Sequence, residues 1–380
     1  MFKHPTITQL RECAEDLGMS PTDEYLEATK RIVGPLVEAY QALDNIPDYV
    51  PEVKYARTPG YRPEQDENPH NAWYVKTAIK GAKHGKLAGK RVAVKDNICV
   101  AGVQMMNGAS ILEGYVPEVD ATVVTRILDS GGEIAGKAVC EYYCVSGTSS
   151  TSSTGPVHNP YRHGYSAGGS SSGSAALVAS GEVEMALGGD QAGSIRIPSS
   201  YCGVYGMKGT FGLVPYTGAV SLETTIDHCG PITNSVSNNA LLLEVIAGPD
   251  GLDSRQADVK TARYTRAIGE EIKGLRVGVV AEGFGHDNSE PDVDAKVRDA
   301  AERIAQLGAE VIDISVPMHK MTREIWIPIG HDGGFRTMMA THGAGGNHEG
   351  LYVTSLIEAT SGWQDRSDDL ADTIKIISLF

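Results

Sequence analysis

Two Gly/Ser-rich loops hold the side chains of this chain that could do chemistry. The first runs Gly168-Gly169-Ser170-Ser171-Ser172-Gly173-Ser174, the second Asp190-Gln191-Ala192-Gly193-Ser194-Ile195-Arg196. A serine hydroxyl is a weak nucleophile until a base takes its proton. Neither loop contains a histidine. The candidate base is Lys95, which ends the apolar run Arg91-Val92-Ala93-Val94. Burial pushes a lysine toward its neutral amine, which can accept a proton. That amine would take a proton from Ser170, which relays it from Ser194. A serine on a Gly-flanked turn keeps its Oγ reachable. The backbone N–H groups of Gln191, Ala192, Gly193 and Ser194 can then converge on one point as an oxyanion hole.

Two other readings compete. Gly169-Ser170-Ser171-Ser172-Gly173 matches the nucleophile-elbow pattern G-x-S-x-G, with Ser171 at its centre. An elbow needs a strand running into it and an acid and a histidine downstream. The turn-like Asn159-Pro160-Tyr161-Arg162-His163-Gly164 precedes it instead. The same loop, followed by the helical Ala175-Ala176-Leu177-Val178, could cradle a phosphate at a helix N-terminus. It lacks a following Walker lysine. His158, His163 and His228 lie near these motifs without the pattern of a triad base. Asp96 reads as a backbone hydrogen-bonding group of the turn Asp96-Asn97.

The elements that must position these residues form an α/β pattern. Arg91 to Lys95 reads as a strand. Asp120 reads as the cap of a helix carrying Val123, Val124, Ile127 and Leu128, and Glu133 to Val139 as the next strand. That is a β-α-β unit. Val183 to Leu187 reads as the strand before the Ser194 loop. A second unit follows: strand Leu275 to Val280, a helix capped by Ser289, and strand Val311 to Ile314. The expected fold is a mixed sheet flanked by helices on both faces. Residues 1–45 read as helical, with Ser20 capping a helix that begins at Pro21. Residues 46–70 are rich in Pro, Asp, Glu and Asn and read as a linker. The expected division is therefore a helical segment with its linker over 1–70 and a catalytic core over 71–380.

Bulk composition narrows the function classes. Of 380 residues, 41% are hydrophobic and 21% charged, close to a globular average. A net charge of −15 argues against non-specific binding to nucleic acid or anionic membrane. The start, MFKHPTITQL, has no apolar signal region, and no stretch is long enough to span a membrane. Cys13, Cys99, Cys140, Cys144, Cys202 and Cys229 form no C-x-x-C pair, and Cys140 and Cys144 have no histidine at zinc-like spacing. Reduced thiols in a cytoplasmic protein, with no metal and no cofactor, are expected.

The two loops together resemble the amidase signature family. GGSSSGSAALVASG followed by GGDQAGSIRIP carries the resemblance, and VAVKDN is similar to that family's lysine strand. Lys95, Ser170 and Ser194 stand 75 and 24 residues apart, the spacing of the family's lysine, cis-serine and nucleophilic serine. GPVHNP, GLVPYTG and DHCGPITNSVSNNALLLEVIAGPDG extend the likeness over roughly residues 68–315. The N-terminal extension and ENPHNAWYV resemble the larger amidases that accompany nitrile-degrading enzymes. The resemblance implies an amidohydrolase that cleaves a small carboxylic amide through an acyl-enzyme on Ser194, with a cis peptide before Ser170. Asp190 and Arg196 match positions that brace the nucleophile loop. Val145, Ser146, Gly147 and His228 are the expected substrate contacts. The family also holds carbamate and urea-like hydrolases and the A-type chains of glutamyl-tRNA amidotransferases, and a homodimer is compatible with it. Ser172, Ala192 and Gly209 depart from residues usual at those positions. The chain stops on the apolar Ile374-Lys375-Ile376-Ile377-Ser378-Leu379-Phe380, and the expectation is a core lacking its C-terminal part.

Overall fold

In a computed structural model of the chain, residues 3–47 and 49–330 are described. The apolar segment 374–380 lies outside them. The chain divides into two compact units, 1–52 and 53–380.

The first unit holds helices α1 (Ile7–Asp16) and α2 (Asp23–Leu43). Thr6 and Gln9 form a reciprocal capping box at the start of α1. α2 begins later than the sequence suggests. Thr22, not Ser20, caps it by accepting the Tyr25 N–H at 3.3 Å. The Thr22 hydroxyl stands three residues before a free helical N–H, the spacing a cap requires. Pro21 is thereby left outside the helix.

The second unit is built on strands β1 (Trp73–Lys80), β2 (Arg91–Lys95), β3 (Glu133–Ala138), β6 (Met185–Asp190), β7 (Tyr205–Gly206) and β8 (His228–Thr233). They form a mixed sheet in the order β1-β3-β2-β6-β8-β7, with β3, β2 and β6 parallel and the other pairs antiparallel. Helix α3 (Thr122–Asp129) closes the expected β-α-β unit between β2 and β3. Helices α4 (Ser172–Ala179) and α6 (Val236–Ile246) also flank the sheet. Val92, Val94, Ile134, Leu177, Leu187 and Ile232 meet in its apolar core. The hairpin β4 (His158–Asn159) and β5 (Arg162–Ser166) precedes α4, and α5 (Arg196–Tyr201) follows the Ser194 loop. Strand β9 (Arg276–Val280), helix α7 (Pro291–Gln306) and strand β10 (Glu310–Ile314) form the second β-α-β unit, with a two-stranded parallel sheet of its own. Helix α8 (Thr322–Ile327) follows.

Three local expectations are corrected. Asp120 does not cap α3, whose N-cap is Ala121. Its carboxylate accepts the Ala101 N–H at 2.9 Å and pairs with Arg57. Ser289 does not cap α7 but donates to Asp294 Oδ1 at 2.7 Å. Strand β6 runs on through Gly188 and Gly189 to Asp190, where the sequence suggested an end at Leu187. A Cβ at Gly188 would lie 2.9 Å from side-chain atoms of Ile195, Ile232 and Ser171. The glycine is thus a close-packing position inside the strand, and β6 delivers the chain directly into the Ser194 turn. The stretch after Val53 is tied down as well: Tyr55 Oη donates to Asp129 at 2.7 Å, and Tyr61 bridges Lys76.

Beneath the site lies a buried ion pair that the sequence did not reveal. Lys137 on β3 and Asp96 just after β2 are both fully buried, with Nζ 3.5 Å from Oδ1. Lys137 also donates to the Ile98 carbonyl, and Asp96 Oδ2 accepts the Met106 N–H at 2.9 Å. Burial pushes the Asp96 carboxyl up, and Lys137 opposes that shift. Removing one partner leaves a buried charge uncompensated. Lys137→Met is expected to cost about 3–5 kcal/mol in urea unfolding at neutral pH. Adding Asp96→Asn should recover part of the loss; an unchanged midpoint in the single variant would contradict the pairing.

Candidate active site

The sheet brings the two serine loops together over the end of β2. Lys95 is the last residue of β2 and is fully buried. Its Nζ donates to Ser170 Oγ at 2.7 Å and to the Gly189 carbonyl at 3.3 Å. Ser170 is fully buried, and the Gly169–Ser170 peptide is cis. The Ser170 carbonyl accepts the Glu141 N–H at 3.2 Å, which holds the loop from the other side. Ser171 donates its N–H to the Ser194 carbonyl at 3.2 Å, linking the first loop to the second. The Ser170 and Ser194 hydroxyls share no hydrogen bond in this structure. Such contacts often tighten only once substrate is in place. Ser171 turns away from the cavity, its Oγ donating to the Gly189 carbonyl at 3.1 Å, which removes it as an elbow nucleophile. The Ser172 hydroxyl is also committed inside the core, to the Val139 carbonyl at 3.3 Å.

Asp190, at the end of β6, organises the Ser194 loop. Its two oxygens accept the Gly193 N–H at 2.8 Å and the Ile195 N–H at 3.1 Å. The Arg196 fork donates to both oxygens at 3.0 Å. Burial disfavours the Asp190 carboxylate, but Arg196 and the two N–H groups outweigh it and hold the carboxyl below its usual range. A depressed folded-state value has a definite consequence for stability. The contribution is fully present above the unfolded aspartate value of about 3.9 and is lost as pH falls through the lower folded value. Asp190→Asn should therefore flatten the acid limb of the stability profile below about pH 4, followed by urea midpoints against pH. An identical acid limb in the variant would sink this assignment.

Of the four expected oxyanion donors, one is already engaged. The Gly193 N–H is spent on Asp190, at a residue whose φ of +128° favours glycine. The N–H groups of Gln191, Ala192 and Ser194 have no protein partner among the described residues. Gln191 is anchored through its side chain, whose Nε2 donates to Asp227 Oδ1 at 2.7 Å and to Tyr216 Oη at 3.2 Å. Asp227 is in turn held by Ser221 Oγ and the Leu222 and Glu223 N–H groups. This buried chain fixes the residue that opens the turn. Asp227 lies beyond the reach of loop-centred sequence reasoning.

Gln191, Ala192 and Ser194 open onto one shared cavity. Val145, Ser146 and Gly147, read from the sequence as substrate contacts, line it together with Cys144, Ile197, Leu222 and Trp326. The last four were not singled out from sequence. Cys144 and Ile197 are chain neighbours of Val145 and Ser194, whereas Leu222 and Trp326 come from distant segments, and contact over such distances leaves no local pattern. His228 is not among the lining residues. Its ring is occupied at the start of β8, with Nδ1 2.8 Å from the Ile226 carbonyl and Nε2 3.3 Å from Lys208 Nζ. Glu141 is buried behind the first loop and accepts from the Ser150 and Thr151 N–H groups and the Thr151 hydroxyl. Among the described residues, no cluster of His, Cys, Asp or Glu is arranged to hold a metal ion.

The amidase family model matches residues 64–369. An enantioselective amidase of Rhodococcus rhodochrous is 47% identical over 323 residues, which is 83% of this chain and 62% of that protein. The A-type chain of the glutamyl-tRNA(Gln) amidotransferase from Synechococcus sp. (strain CC9311) is 43% identical over 61% of this chain and 47% of its own length. The chain thus spans less than two thirds of either relative. The crystal structure of the corresponding glutamyl-tRNA(Gln) amidotransferase chain from Thermotoga maritima matches with a TM-score of 0.71 at 31% identity, covering 81% of this chain and 68% of that one. Matched along most of its length, the chain belongs to the amidase family.

Proposed function

We propose that the chain hydrolyses a small carboxylic amide to acid and ammonia through an acyl-enzyme on Ser194. The observation that carries this reading is the buried 2.7 Å hydrogen bond from Lys95 Nζ to Ser170 Oγ, behind a cavity lined by Ser194. Ser194 Oγ attacks the amide carbonyl carbon as its proton passes to Ser170 and that of Ser170 to Lys95. The N–H groups of Gln191, Ala192 and Ser194 hold the developing oxyanion. Lys95 returns the proton through Ser170 to the leaving nitrogen, and ammonia departs. Water then attacks the acyl-enzyme by the same relay and frees the acid. Base, nucleophile and oxyanion donors are all protein groups, so these steps need no metal or organic cofactor.

The cavity walls support an apolar acyl group. Val145, Ile197, Leu222 and Trp326 face it, and no charged side chain is among the described lining residues. The alternative is an amidotransferase role like the one named for the Synechococcus and Thermotoga relatives. An uncharged lining is poorly suited to a zwitterionic amide such as glutamine. A carbamate would follow the same steps as an amide. Net charge supports a small-molecule substrate over nucleic acid or an anionic membrane, and a homodimer is part of the same proposal. No helix among the described residues is long and apolar enough to cross a membrane. The free cysteines support a cytoplasmic setting.

Ammonia release tests the reading. Aromatic and branched aliphatic amides should be turned over with kcat/KM about a hundredfold or more above that for glutamine. Faster release from glutamine would favour the amidotransferase role. Release from phenyl carbamate alone would move the assignment to carbamates.

A further inference from the structure

The catalytic steps above leave two buried thiols beside the site unused. Cys140 follows β3 closely, and Cys144 lies four residues on. Tyr143 and Cys144 take left-handed φ values of 47° and 63°, turning the chain back on itself. Both thiols then reach one acceptor, Asn107 Oδ1, at 3.6 Å from Cys140 and 3.4 Å from Cys144. Sharing that oxygen places the two thiols in one cluster, with Lys95 and Ser170 near enough to act on the Cys144 thiol. Cys144 lines the same cavity as Ser194, so a small reagent that reaches one reaches the other. The hydrogen bond from Cys140 holds the Cys144 thiol down, against burial and with help from Lys95 and Ser170. Burial alone pushes Cys202 up to about 12 and dominates at Cys229, also about 12. The Cys144, Cys202 and Cys229 thiols are therefore chemically unequal.

We propose that Cys144 and Cys140 form a peroxide-oxidisable pair in the wall of the cavity, Cys144 as the attacking thiol and Cys140 as the resolving one. The Cys144 sulfur attacks one oxygen of hydrogen peroxide. An S–O bond forms, the O–O bond breaks, and the departing hydroxide leaves as water with the Cys144 proton. The Cys140 sulfur then attacks the Cys144 sulfur. The S–S bond forms, the S–O bond breaks, and a second water leaves with the Cys140 proton. The two thiols lose two electrons and peroxide is reduced to two waters. The disulfide pulls Cys144 from Lys95 and Ser170 and shifts the Val145–Gly147 wall, which shuts the site. That last consequence rests on the reading of Ser194 as nucleophile; the oxidation itself does not.

The test is a thiol map of the whole chain after brief peroxide treatment, alkylation with iodoacetamide under denaturing conditions and tryptic digestion. The peptide 138–162 contains both cysteines. It should appear two hydrogens lighter and unalkylated, and dithiothreitol should restore both alkylation sites. In Cys140→Ala, dimedone should trap a sulfenic acid on Cys144. In Cys144→Ala, Cys140 should stay reduced. Full alkylation of this peptide while Cys13 is oxidised would overturn the proposal, as would oxidation of Cys140 in Cys144→Ala. Fluorophosphonate labelling of Ser194 should fall in step with the disulfide and return on reduction; disulfide formation with undiminished labelling overturns the shut-off. A chain whose Ser194 never labels, even reduced, counts against the catalytic reading and leaves the thiol map to decide the oxidation.

Discussion

Ser194→Ala is expected to lower amide turnover by about 10⁶-fold, measured as ammonia release under saturating substrate. The proposed covalent route runs through this one oxygen. The N–H groups of Gln191 and Ala192 and the Asp190–Arg196 brace survive the substitution, since they do not use the Ser194 hydroxyl. Binding of amide should therefore persist while chemistry stops. An unchanged thermal midpoint, together with a retained Kd for a non-reactive acid product, separates loss of the nucleophile from loss of the loop. Ser171→Ala provides the internal contrast. Its hydroxyl faces the Gly189 carbonyl inside the core, so its cost should appear in stability rather than as loss of the acylation step.

Lys95→Ala should slow acylation of Ser194 at neutral pH by about 10⁴-fold or more, read as single-turnover label incorporation. Ser170 would keep its place against Glu141 but lose the group that accepts its proton. The fold supplies a control in Lys137, a second fully buried lysine on the neighbouring strand. Lys137 points to Asp96 and the Ile98 carbonyl, away from the serines. Substituting it should lower stability while the surviving folded fraction acylates normally. Near-wild-type acylation in Lys95→Ala, or equal kinetic losses for the two lysines, would refute the assignment of the base.

The contrast between these lysines shows where the sequence was legible. Lys95 could be read because it ends a β-branched run and its spacing to the two serines resembles that of the amidase family. Lys137 sits in Gly136-Lys137-Ala138, where nothing local marks burial. Its partner, Asp96, reads as an ordinary turn residue. Helix caps failed for a related reason. Asp120 and Ser289 are suitable cap residues by type, but Arg57, the Ala101 N–H and Asp294 compete for them from outside the helix. The end of β6 was missed because glycine pairs usually punctuate strands, whereas here packing against Ile195 and Ile232 leaves no room for a Cβ. The loops that hold Ser170 and Ser194 were legible because their small residues are dictated by backbone approach. The cavity wall was only half legible. Val145, Ser146 and Gly147 lie close in sequence to β3, but Leu222 and Trp326 arrive from distant segments. His228 looked well placed in sequence, yet Lys208 and the Ile226 carbonyl claim its ring.

Ser194, and not another serine of these two loops, is the proposed nucleophile. Reaction of the intact chain with a fluorophosphonate, followed by peptide mapping, tests it most directly. The expected result is a single adduct on Ser194 that disappears in Lys95→Ala. An adduct on Ser171, or none on any serine of either loop, would contradict it.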